Sequence, residues 1–365
     1  GSGADTVIIT GSLLGGAAVY GDNSGNTEES NDSITIGTIN SASVYGNYGN
    51  DTVVVAGPGT RASLYGGAGN DSVTVAGTVS SGLIDGGSGN DSIRITGDVI
   101  GGTTIFGAQN IADSLDGADL VSVAGAITSS AVYGNGGNDT ILFTGAALNA
   151  SLYGGEYNDS FSFGGAWTST YFEGGKDSDS LLIGGALSNS TIYGGEQTTN
   201  STPGTDSADS IVVTGAVSAS AIYGNLGSDL ISAAGGITQS SLYGGSGNDS
   251  LIISTGVTDR SIADGGLDND LISAALVNGT SSLLGAAGAD TLVVGGTVGQ
   301  AYIDGGDGDD SFNLSSLEER ASLYGGSGND TITLGSTASK AFITGEVGDD
   351  SIAIAGAVST SLYGG

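Results

Sequence analysis

An aspartate that returns about every 20 residues constrains this chain more than any other feature. It stands at Asp5, Asp32, Asp51, Asp71, Asp91, Asp119, Asp139, Asp159, Asp179, Asp209, Asp229, Asp249, Asp270, Asp290, Asp310, Asp330 and Asp350, and most of the intervals are 20. The stretch YGGAGNDSVTVAGTVSSGLI aligns with the one that follows it, and self-similarity of that period marks an array whose repeats bury their apolar faces on one another. Two and four residues after the Asp stand apolar residues, as in Val73 and Val75, Ile93 and Ile95, Phe161 and Phe163, or Ile332 and Leu334. The residue between them is free to be Thr74, Arg94, Ser162 or Asn313, so the alternation has period two and reads as a strand with one buried face. A second short strand precedes the next loop, with Leu64, Ile84, Val132, Leu152, Ile222 or Leu323 pointing inward. Each unit is therefore read as two strands and two turns.

Equivalent strands in such an array stack as a parallel ladder around a narrow apolar core. A meander of hairpins would place successive equivalent strands antiparallel and would gain nothing from the recurrent loop. The expected fold is all-β, a parallel β-solenoid of the β-roll or β-helix kind, with about 17 turns of 20 residues. At a strand spacing of about 4.8 Å that is a rod roughly 80 Å long. Residues 1–365 read as a single solenoid domain, and an opening in mid-loop at Gly1 and a close on SLYGG read as a segment cut from a longer protein.

Composition narrows the partners. With 39 acidic and 6 basic residues the chain carries a formal charge of -33, which opposes nucleic acid and anionic membrane surfaces and favours cations. It has no Cys, so no disulfide holds the fold, and no apolar run long enough to span a bilayer, so no membrane insertion is expected. A 38% apolar content at fixed positions argues against disorder.

The chemistry lies in the loop that ends on the Asp. It reads GGAGND at 66–71, GGSGND at 86–91, 244–249 and 325–330, and GGDGDD at 305–310, with single departures such as GNYGND at 46–51, GAAGAD at 285–290 and GGEYND at 154–159. Glycines permit positive φ and bring carbonyl oxygens close together, which suits a hard cation. An Asx-turn alone would explain one such Asp, but carboxylates stacked about 5 Å apart repel by about 3 kcal/mol per neighbouring pair at an effective dielectric near 20. Divalent ions between them remove that cost, and folding is then expected to depend on the metal. Oxygen donors in a chain without His or Cys select calcium over zinc.

These loops resemble the RTX family of calcium-binding repeats, whose nonapeptide GGxGxDxUx builds right-handed parallel β-rolls in secreted bacterial proteins. The resemblance covers essentially the whole chain. It implies that the seventeen aspartates named above, with backbone oxygens of the loop such as those at Gly66 and at position 68 (Ala68), hold several Ca2+ ions between successive turns. One departure matters. An RTX roll carries the motif on both edges, whereas the second turn here reads AGTVSSG or TGAVSAS without a recurrent Asp, so ions are expected on one edge only.

Tyr precedes the loop in ten turns, among them Tyr20, Tyr45, Tyr65, Tyr133, Tyr153, Tyr193, Tyr223, Tyr243, Tyr324 and Tyr363, and the rings are expected to stack on the outside. Three loops are expanded, Gly21 to Asp32, Gly107 to Asp119 and Gly194 to Asp209, which a four-turn spacing places on one edge. Off-pattern carboxylates Glu173, Asp264 and Asp304 lie beside the loops without a nucleophile and base, so no enzyme is expected. Ice binding would need one repeated surface on the loop, yet its third position is Ala68, Ser88, Gly136, Glu156 or Lys176. The reading is an extracellular, cell-surface, calcium-dependent structural segment that self-associates into a surface layer or filament. The alternatives are the stalk of a giant RTX adhesin and the C-terminal calcium-binding secretion module of an RTX toxin or hydrolase.

Overall fold

Strand alternation and the 20-residue period meet in a computed structural model that describes residues 3–22, 30–108, 116–196 and 207–365. The expanded segments at 23–29, 109–115 and 197–206 lie outside the described residues, so the expected placement of the three long loops on one edge is not addressed. The described chain is all strand and turn, a parallel β-solenoid of about 16 turns at a spacing of about 20 residues. It packs as two units, Gly1–Leu181 and Leu182–Gly365.

Within the first unit the register is one residue on its equivalent in the next turn. Val53 pairs with Val73 and Val73 with Ile93, all parallel, and Leu64 pairs with Ile84 and Ile84 with Ile105. The second unit repeats this, with Ile211 on Ile231, Ile231 on Leu251 and Leu251 on Ile272. Most turns hold three strands, not two. Between Ser72–Val75 and Leu83–Ser88 runs the two-residue strand Val79–Ser80, which pairs with Gly59–Thr60 and Val99–Ile100. Its one inward side chain, Val79, closes the third side of the core with Leu64, Val73 and Val75, all at most 1% exposed. Each such side chain contributes ~1.5–3 kcal/mol by leaving water.

In the first unit one stretch of core is aromatic. Phe143 stacks on Phe163 at 4.9 Å, and Trp167, the only tryptophan and fully buried, meets Phe163 edge-on at 4.7 Å. Outside, most of the tyrosines stack as expected, Tyr20 on Tyr45 at 4.9 Å, Tyr45 on Tyr65 at 4.8 Å, and in the second unit Tyr193 on Tyr223 at 4.8 Å, whereas Tyr324 and Tyr363 meet Phe342 tilted, at 43° and 40°. These separations equal the strand spacing, so in-register parallel pairing alone puts the rings in contact.

The corner after the two-residue strand is left-handed. Ser81 has φ 53°, Ser129 φ 48° and Gln239 φ 50°. The next residue turns inward, and where it is Ser or Thr it forms a buried ladder. In the second unit the N–H of Ser220 donates to Ser240 Oγ at 3.2 Å and that of Ser240 to Ser261 Oγ at 3.2 Å. Each hydroxyl in turn donates to a carbonyl of its own corner, Ser220 to Ser218 and Ser240 to Thr238, both at 2.8 Å. The inward groups of this ladder are neutral hydroxyls that both donate and accept.

Candidate metal centre

The opposite edge is built from the same backbone geometry but with an acid. The N–H of Asp51 donates to Asp71 Oδ1 and that of Asp71 to Asp91 Oδ1, both at 2.7 Å. In the second unit Asp249 donates to Asp270 at 2.8 Å and Asp270 to Asp290 at 2.7 Å. The aspartate therefore does close turns, as the simple turn reading holds, but it closes the preceding turn and uses only one oxygen. The other oxygen, Oδ2, is buried and unpaired at Asp32, Asp51, Asp71, Asp91, Asp119, Asp139 and Asp159 in the first unit, and at Asp249, Asp270, Asp290, Asp310, Asp330 and Asp350 in the second. A buried carboxylate oxygen without a partner carries a desolvation penalty of ~1–3 kcal/mol or more, which something must offset.

Loop glycines bring carbonyls to that oxygen. A Cβ built on Gly66 would lie well inside 3.0 Å of both Asp71 Oδ2 and the Gly86 carbonyl oxygen of the next turn. The same pair of oxygens crowds Gly46, Gly134 and Gly154, and in the second unit Gly244, Gly285, Gly305 and Gly325. The first loop glycine is thus fixed by close approach, and it is present in every loop. The second and fourth positions need positive φ, 123° at Gly67 and 125° at Gly69. That explains the Asn departures: Asn47, Asn135 and Asn225 stand at the second position with φ of 82°, 77° and 84°, a conformation Asn tolerates, whereas Ala286 and Glu346 take φ of 80° and 72° there without that ease.

The Asn before the Asp has its own role. The N–H of Asn70 donates to Asn50 Oδ1 at 2.7 Å and that of Asn90 to Asn70 Oδ1 at 2.8 Å, an exposed ladder running opposite to the aspartates.

Burial dominates the acid chemistry. It pushes Asp71 up to about 8, eased by the Asp51 N–H and raised further by the charges of Asp91 and Asp51. Asp119 and Asp159 reach about 9 for the same leading reason, and Asp270 and Asp310 about 7. Among the described residues no three acidic side chains converge. The donor set at each loop is therefore carboxylate plus backbone carbonyl, which is hard-cation chemistry and fits calcium.

A family model of the RTX calcium-binding nonapeptide repeat (4 copies) matches residues 63–76, 81–94, 131–143, 240–252 and 322–337. The chain carries RTX calcium-binding repeats. Calcium is accordingly its metal, in several copies. No curated protein matches the chain. Among solved structures it is similar to a hyperactive, Ca2+-dependent, β-helical antifreeze protein from an Antarctic bacterium, at 22% identity and a TM-score of 0.42, over 94% of this chain and 83% of that one.

Of the seventeen expected site residues, the structure buries those from Asp32 to Asp330, half-buries Asp350 and leaves Asp5 exposed, offering its N–H to Asp32 Oδ1. Asp304 faces outward, held by the Tyr302 hydroxyl at 2.5 Å, and Glu173 accepts likewise from Tyr171. Two acids near the RTX loops went unnoticed in the sequence. Asp22, 1% exposed, takes the Ser30 hydroxyl at 2.9 Å, and Asp85, 7% exposed, stands where most turns have Tyr. The signal for Asp85 was available: it takes the column position of Tyr65 and Phe106, as Glu173, Asp264 and Asp304 do in their own turns.

Proposed function

We propose that this calcium-binding β-solenoid is an extracellular structural segment of a bacterial surface layer or surface filament, in which the RTX aspartates and the loop carbonyls hold a row of calcium ions. The observation that carries the reading is the unpaired, buried Oδ2 repeated turn after turn against a carbonyl of the next turn. Calcium at ~1 mM outside the cell fills sites of modest affinity, while the far lower cytosolic level leaves them empty before export. Supply of calcium is then the step that folds the segment, and its role is mechanical, not catalytic. Neighbouring copies associate through the outer faces of the solenoid.

Analytical sedimentation and negative-stain electron microscopy in 1 mM-range calcium and in chelator test the assembly. Calcium-dependent polymers or sheets that disperse in chelator are the expected result. Particles of one chain's mass at every protein concentration in calcium would overturn the layer or filament reading and leave the adhesin stalk or the secretion module.

A further inference from the structure

Two neighbouring turns of the second unit depart from the repeat where the fold asks for nothing unusual. The left-handed corner holds Ser81 or Ser129 in the first unit, and the outward strand residue two positions after a corner is usually small, such as Ser63, Ala131 or Ser241. Here Gln300 and Arg320 stand at successive corners, with φ of 53° and 67°, and Tyr302 stands at the outward position in register between Ser282 and Ser322. With Thr280 and Ser322 they wall a cavity of about 290 Å³, and the buried Ala301 also lines it. Tyr302 is 39% exposed, and its ring is held twice: the hydroxyl donates to Asp304 Oδ2 at 2.5 Å, and Tyr324 packs beside it at 5.1 Å. Arg320 is exposed and is one of only six basic residues in a chain of charge -33. Among the described residues no carboxylate pairs with it, for the adjacent Glu319 takes Lys340 at 3.7 Å, and no acid lines the cavity.

We propose that this cavity binds one carboxylated sugar unit, of the uronic acid class. The Tyr302 ring offers an apolar platform for the C–H face of a pyranose, and the Arg320 guanidinium is a planar fork of donors that matches a carboxylate. The Gln300 amide and the Ser322 and Thr280 hydroxyls supply the neutral donors and acceptors that sugar hydroxyls need. The Thr280 hydroxyl already donates to the Gly279 carbonyl at 2.6 Å, so it is left to accept. Volume sets the size: small-molecule pockets start at ~300 Å³, which leaves room here for a single sugar ring. A bare anion would use Arg320 and have no need of the ring, and a neutral sugar would leave the guanidinium unmatched. The site lies at the corner edge, away from the Asp loops, so the sugar and calcium do not compete for ligands.

Isothermal titration calorimetry of the full chain in calcium, with methyl glucuronide and methyl glucoside as probes, tests it, since the two differ only in carboxylate against hydroxymethyl. One glucuronide per chain is expected, with the glucoside bound about tenfold more weakly or less, because a hydrogen bond to a charged group is lost. Arg320→Gln and Tyr302→Ser each install the residue that the next turn already carries at that position, Gln300 and Ser322, so the fold is kept, as circular dichroism verifies. Each is expected to weaken the glucuronide about tenfold or more and to leave calcium uptake unchanged. A parent chain that shows no saturable glucuronide binding overturns the proposal. So does an Arg320→Gln variant that binds it as tightly as the parent, which is what bridging through loop calcium would give. Sulfate that displaces the glucuronide at equal concentration, with Tyr302→Ser without effect, overturns the sugar assignment and leaves a simple anion site. N-acetylglutamate that binds as tightly as the glucuronide overturns it too and points to an acidic peptide.

Discussion

Gly66→Ala is expected to disrupt the turns around it even in saturating calcium, with a loss of ~3 kcal/mol or more. The added methyl meets two oxygens, Asp71 Oδ2 and the Gly86 carbonyl, neither of which can retreat: one belongs to a side chain locked by the Asp51 N–H, the other to the paired backbone of the next turn. It would also occupy the space between carboxylate and carbonyl that a cation needs. Gly295→Ala is the control, because nothing lies within 4 Å of its added Cβ. Thermal unfolding in calcium, followed by circular dichroism, separates the two: a large loss for Gly66→Ala and almost none for Gly295→Ala. Equal behaviour would mean that the first loop glycine is not held by close packing.

The second large effect is a reversal of pH dependence by calcium. Without divalent ions, burial lifts Asp71 and Asp139 to about 8 and Asp119 and Asp159 to about 9, from an ordinary value of 3.8. A folded-state value raised in this way means that the native chain binds more protons than the unfolded one between about pH 4 and 9. The cation-free fold is therefore most stable near pH 4, loses stability as pH rises through that window, and has lost the whole contribution above pH 9. Calcium requires the ionised carboxylates, so protons compete with it and the calcium-loaded fold strengthens over the same window. Urea unfolding at pH 5 and pH 8, in chelator and in calcium, reads both slopes. In chelator a urea midpoint is expected at pH 5 and none at pH 8, where the chain is already unfolded; in calcium the midpoint is expected to rise from pH 5 to pH 8. The same sign in both conditions would show that protons and calcium do not compete for the Asp column.

Much of this was open to reading because a solenoid repeats its local physics. The inward pairs Val73 and Val75 or Ile93 and Ile95 declared one strand, the column of Asp declared the loop edge, and the Tyr before ten of the loops declared an outer stack. What escaped depends on partners a turn away. The strand Val79–Ser80 carries one apolar residue in a run of Gly, Thr and Ser, too little for a period, and exists because Gly59–Thr60 and Val99–Ile100 flank it. The hydroxyl ladder through Ser220, Ser240 and Ser261 looks in sequence like ordinary turn polarity. It shows why one edge needs no inward acid: its inward groups satisfy each other, whereas an Asp such as Asp71 on the other edge spends one oxygen on its neighbour and keeps one in reserve. Gly66 reads as a flexible turn residue, but its constraint is the Gly86 carbonyl of the next turn, 20 positions on. Asp85 was hidden by interrupting a pattern that invited attention to its tyrosines.

The most direct test is a calcium titration of the chelated chain at pH 8, followed by far-ultraviolet circular dichroism and by the emission of Trp167, with magnesium as control and a return to chelator at the end. Trp167 is the sole tryptophan and lies fully buried between Phe163 and Phe172, so its emission reports core assembly in the first unit. β-Structure and a blue shift that appear together and cooperatively with calcium, stay absent in magnesium and vanish on chelation are the predicted result. A chain already folded in chelator at pH 8, with no change on adding calcium, would contradict the account: the Asp column would then be turn chemistry alone.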